Sequence, residues 1–147
     1  MKDEFVNYMK AISLSTTLTG RVQSILEVYS GFCPEEIKWM FISDYLTHEG
    51  ERVFESVYLF SENFAMESKQ FASSDNFDFA RIEGIHYVEI KKQDYDLKRS
   101  TEKSRLNLRF HFSEKSAYLE MKASKENCEY LWHFFGEYVL PRSTRTK

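Results

Sequence analysis

Between Arg105 and Phe112 apolar and polar residues alternate without a break: Leu106, Leu108, Phe110 and Phe112 against Arg105, Asn107, Arg109 and His111. Side chains of an extended chain point to opposite faces in turn, so this run dictates a strand with one face in an apolar core and the other toward water. The same period of two returns nearby. Leu119, Met121 and Ala123 alternate with Tyr118, Glu120 and Lys122 after Ala117, and Val88 and Ile90 share one face of the stretch 87–95. Upstream, Ile37, Trp39 and Phe41 alternate with Lys38 and Met40, and further extended runs are predicted over 53–60, 64–68 and 79–82. Short polar connections, such as Ser61-Glu62-Asn63, join neighbouring runs as antiparallel hairpins. About seven strands in meander order result.

Both ends of the chain have a period near 3.6. Phe5, Val6, Met9 and Ile12 recur at spacings of three and four, and Val22, Ile25, Leu26 and Tyr29 do so after a polar break at 13–19. The spacing predicts two helical pieces over 3–31, the second capped by Thr19 and ended by Gly31 before Pro34. At the other end Cys128, Leu131, Trp132, Phe135 and Val139 form an apolar stripe, with Tyr130, Phe134 and Tyr138 in a row beside it. Ser124 is the expected N-cap and Pro141 the expected stop.

Twenty-four aromatic residues and only five glycines and two prolines exclude a disordered or low-complexity chain. With 147 residues the chain is long enough for one domain with a real core. We divide it into an N-terminal helical extension (1–33), a β-rich domain (34–141) and a basic tail (142–147). Two cysteines, Cys33 and Cys128, stand too far apart in sequence for a metal motif and fit a reducing, cytoplasmic setting. The net charge of −3 is unevenly spread: residues 1–90 carry −8 and residues 91–125 carry +5. An acidic body with one basic segment argues against nucleic acid as a partner.

A long antiparallel meander must bury its apolar face by bending over, and a helix with one apolar stripe is suited to plug the open corner. The expected fold is therefore α+β, mainly β: a bent seven-stranded antiparallel barrel, closed by the C-terminal helix. In the reversal Tyr58-Leu59-Phe60-Ser61-Glu62-Asn63-Phe64 and the segment Ser124-Lys125-Glu126-Asn127-Cys128-Glu129-Tyr130-Leu131-Trp132, the sequence resembles the pleckstrin-homology-like superfold over about residues 37–140. The second segment resembles the closing helix of the third lobe of FERM domains. The resemblance implies Cys128, Leu131, Trp132 and Phe135 as the plug of the barrel.

It also implies two uses. One is phosphoinositide binding through the first strand loop, but Thr47-His48-Glu49-Gly50-Glu51 sets two carboxylates against a polyphosphate. The basic residues Lys91, Lys92, Lys98, Arg99, Lys103 and Arg105 gather instead around the hairpin between the fifth and sixth strands, where weak attraction to an anionic membrane is the alternative reading. The favoured use is protein or peptide recognition, in which an extended segment adds to a strand edge beside the closing helix. Tyr87, Glu89 and Lys91 on the fifth strand and Phe134 and Tyr138 on the helix are the candidate groove. No cofactor or metal is expected, because the four histidines are scattered and lack ligand spacing, and an enzyme is the least favoured class. Periodicity does not decide whether the N-terminal helices pack on the strands, on a second copy or on another partner.

Overall fold

The computed structural model describes residues 1–69, 77–81, 85–93, 104–112 and 118–143. Its order is α1 (Asp3–Ala11), α2 (Thr16–Phe32), β1 (Trp39–Leu46), β2 (Arg52–Phe60), β3 (Phe64–Lys69), β4 (Phe77–Arg81), β5 (Ile85–Gln93), β6 (Arg105–Phe112), β7 (Tyr118–Ser124) and α3 (Asn127–Phe134), followed by a π-helical turn (Phe135–Val139) and α4 (Leu140–Ser143). The features expected at 72–76, Gly84, Lys98, Arg99, Lys103, Ala117 and 144–147 lie outside the described residues.

The strands do not form one bent barrel. They divide into two separate antiparallel sheets, β1-β2-β3-β4 and β5-β6-β7. This corrects both the expected seven-stranded fold and the pleckstrin-homology-like reading built on it. The physical reason lies where β1 meets β7. Between Ser43 and Asp44 the β1–β2 register shifts, so that Ser43 faces Ser56 while Asp44 faces Phe54. Such a bulge bends its strand and re-aims its side chains. Ser43 Oγ accepts from the Lys122 N–H (3.0 Å) and donates to the Lys122 carbonyl (3.3 Å), and Asp44 Oδ1 accepts from the Ser124 N–H (3.1 Å). Side chains of β1 thus take backbone groups of β7 that a closing ladder would need.

The two N-terminal helices pack on this frame. Phe5, Tyr8, Met9, Ile12, Val22, Ile25 and Tyr29 belong to the same buried cluster as the strand residues. The chain reverses between α1 and α2 at Ser13, which takes a left-handed conformation (φ 59°). α2 is capped by Ser15, whose Oγ accepts from the Leu18 N–H (3.2 Å), and not by Thr19. It ends at Phe32, with Cys33 extended (φ −123°), so Gly31 supplies no left-handed stop.

The C-terminal helix is rotated from the expected stripe. Cys128, Leu131, Phe134, Tyr138 and Val139 are buried, whereas Trp132 and Phe135 are half-buried and pack on each other with centroids 5.8 Å apart. Phe134 enters the core against Phe60 (4.5 Å) and Tyr138 (5.3 Å), and the Tyr138 hydroxyl donates to the Ser61 carbonyl. Ser124 caps nothing here, since it is drawn to Asp44 and the residue before α3 is Glu126. Pro141 does not stop the chain either. It sits in α4, after a π-turn, the kind of local widening that accommodates a missing N–H and a bulky ring.

Candidate functional site

The strict alternation of β6 leaves Arg105, Asn107, Arg109 and His111 half-buried on one face while Leu106, Leu108 and Phe110 are buried on the other. Register with the neighbouring strands arranges that outer face in rows. Tyr87 and His111 occupy one row, Glu89, Arg109 and Glu120 the next, and Lys91, Asn107 and Lys122 the third. Arg109 Nε donates to Glu120 Oε2 (3.1 Å), and Asn107 Nδ2 also reaches that oxygen (3.4 Å). His111 Nε2 lies 3.1 Å from Glu89 Oε1, and the Tyr87 ring stacks on the imidazole at 4.3 Å with 5° between planes. The hydrogen bond from His111 holds the Glu89 carboxyl below the usual carboxylate range. The face is therefore a ladder of opposite charges with an aromatic row at one end.

β5 forms the edge of this sheet and pairs only with β6 among the described residues. It carries two of the five large hydrophobic side chains that stand exposed there, Tyr87 at 53% and Ile90 at 40%. Ile90 faces the core side, opposite buried Leu108, and is nonetheless partly exposed. An edge of this kind is a template for pairing with another extended chain.

Of the residues proposed for a groove, Tyr87, Glu89 and Lys91 lie together on one face of β5. Phe134 and Tyr138 do not join them. At 0% and 1% exposure they are core residues, so the groove does not extend along the helix. Of the basic set, Lys91 and Lys92 are exposed on opposite faces of β5, and Arg105 is half-buried opposite Gln93.

The sequence reading missed a buried polar junction among α1, β1, β2, β7 and α3. Asp44, Ser124 and Asn127 are each 0% exposed. The Asp44 carboxylate accepts from Arg52 Nε (2.9 Å), Asn127 Nδ2 (2.7 Å), the Ser124 N–H and the Ser124 hydroxyl. Arg52 also donates to the Ile12 carbonyl (3.1 Å) and pairs with Glu126. The Tyr8 hydroxyl accepts from the Ile42 N–H (3.0 Å) and donates to Asn127 Oδ1 (2.8 Å), while Asn127 Nδ2 reaches the Ile42 carbonyl (2.8 Å). Burial pushes the Tyr8 hydroxyl well above its ordinary pKa. A carboxylate with this many donors is locked in place, and its chemistry is structural. The polar pair Ser43-Asp44 inside the otherwise apolar run Met40–Leu46 was the available signal.

Clefts among the described residues include two with titratable walls. One, of about 270 Å³, is lined by Glu55, Ser56, Tyr58, Glu67, Glu120 and Lys122, among others. Burial raises the Glu67 carboxyl above its usual range, and also raises the Tyr58 phenol that donates to it (3.1 Å). The other, of about 660 Å³, lies between α1, α2 and the segment 33–37, with Lys2, Phe5, Tyr29 and Cys33 on its walls. Cys128 is fully buried, and burial pushes its thiol up to about 12, which keeps it a neutral, unreactive group. No cluster of three or more metal-ligating side chains exists among the described residues, and no helix there is long and apolar enough to cross a membrane. Comparison with family models, curated proteins and solved structures finds no match.

Proposed function

We propose that the protein is a non-catalytic interaction module that takes up an extended segment of a protein partner along β5. The observation that carries this reading is an edge strand bearing Tyr87 and Ile90, both exposed, with Glu89 and Lys91 offering one charge of each sign between and beside them. Main-chain hydrogen bonds along such an edge supply affinity, and alternate side chains supply selectivity. The free thiols of Cys33 and Cys128 support work in a reducing, cytoplasmic compartment.

The test is fluorescence anisotropy with a labelled strand peptide whose lysine and glutamate are set to face Glu89 and Lys91. Saturable binding is expected, lost when the peptide backbone is N-methylated along its pairing edge and weakened by Lys91→Glu. Absence of saturable binding overturns the reading. So does peptide binding indifferent to N-methylation, or capture by phosphatidylserine vesicles alone, which would transfer the role of Lys91 and Lys92 to an anionic membrane at about 1 kcal/mol for each basic residue near the surface.

A further inference from the structure

We propose that the segment β5 accepts is β5 of a second copy of this chain, giving a two-fold dimer centred on Ile90. The inference rests on the strand-pairing reading above and names its partner. A two-fold axis between antiparallel edge strands runs perpendicular to the sheet, and directly opposed side chains share a face. The axis therefore passes through a residue position, which leaves few registers for a strand spanning Ile85–Gln93.

Centring on Glu89 would set that carboxylate against its own copy, and centring on Lys91 would oppose two ammonium groups. Centring on Ile90 sets Glu89 of each chain opposite Lys91 of the other, Tyr87 opposite Gln93 and Val88 opposite Lys92. Two opposite-charge pairs then flank the axis on the outer face. On the core face, Ile90, 40% exposed in the single chain, meets Ile90 of the second copy. Each copy presents the same patch to the other, as a closed two-fold interface requires. The two three-stranded sheets merge into one of six strands, and the edge at β5 is removed from each.

Sedimentation equilibrium of the full chain tests this. The wild type is expected at twice 17.5 kDa. Glu89→Lys alone and Lys91→Glu alone each place like charges opposite one another and should weaken the dimer about tenfold. An equimolar mixture of the two variants sets a basic strand against an acidic one and should recover wild-type affinity as a heterodimer. A mixture that stays as weak as its components overturns the proposed register.

A second arm does not depend on those charges. Ile90→Cys in a Cys33→Ser background should cross-link between chains with a short bifunctional thiol reagent, since opposed positions bring Cβ atoms within about 4.5–5.5 Å, within the reach of such a linker. No cross-link, or a wild-type chain monomeric throughout, overturns the dimer. If the strand peptide still binds a monomeric chain, the edge-pairing function stands and only its partner is wrong. Loss of both removes the function as well.

Discussion

β1 and β5 are both outer strands of their sheets, yet the molecule treats them oppositely. The free side of β1 is covered from within. The Tyr8 hydroxyl and the Asn127 amide satisfy the Ile42 backbone, and Ser43 and Asp44 turn to β7. The pairing capacity of β1 is spent on side chains that sequence positions far apart bring together. β5 has no such cover among the described residues and keeps two large apolar side chains in water. An edge protected by buried polar side chains is committed to the fold. The exposed apolar residues and balanced charge of the other are the grounds on which association is proposed there.

The contrast can be broken from the covered side first. Asp44→Ala leaves Arg52, 13% exposed, without its buried partner and should cost about 3–5 kcal/mol in chemical denaturation. A loss within about 0.5 kcal/mol would show that the junction does not hold the sheets together. Phe134→Ala should cost a similar 3–5 kcal/mol, and clearly more than Trp132→Ala, whose side chain is only half-buried. The reverse order, read from thermal midpoints, would restore the unrotated stripe. Tyr8→Phe removes one hydroxyl and leaves the Ile42 N–H and part of Asn127 without a partner, at about 1–3 kcal/mol. Amide exchange should then quicken at Ile42 while β5 is unaffected.

The smallest effect is a pH dependence at the 270 Å³ cleft. The folded state raises the Glu67 pKa, mainly by burial, so the folded chain holds this proton more tightly than the unfolded chain does. The resulting stabilisation is complete below the unfolded value of about 4.3 and is lost as pH rises through the folded value. Glu67→Gln should flatten the thermal midpoint across that window. An unchanged slope would place the burden on another group.

Much of this was legible in the sequence because period two is a local property. The run 105–112 had to be a strand whatever it packed against, and β6 occupies those residues. Other features depended on where distant residues meet. The stripes through Trp132 and Phe134 fit a helix about equally well, and Phe60 together with the Ser61 carbonyl that anchors Tyr138 selected the second. Ser124 is an adequate helix cap by residue type, but a buried carboxylate 80 positions earlier is a stronger acceptor for its hydroxyl and N–H. The division into two sheets was hidden for the same reason. Strand count and order suggested closure, while the outcome turned on two short polar side chains at a one-residue shift in β1. At β5, by contrast, Tyr87, Glu89 and Lys91 share a face through alternation alone, and so that placement was readable.

That one-residue shift also sets what joins the two sheets. A continuous ladder between β1 and β7 would resist sliding at every residue along its length. Here the seam is fastened by side chains instead, Ser43 at Lys122 and Asp44 at Ser124. The Tyr58 hydroxyl donates to the Glu120 carbonyl and Arg52 reaches the Ser124 carbonyl beside it, and one buried cluster takes residues from both sheets, so side chains rather than a backbone ladder hold the two halves as one body.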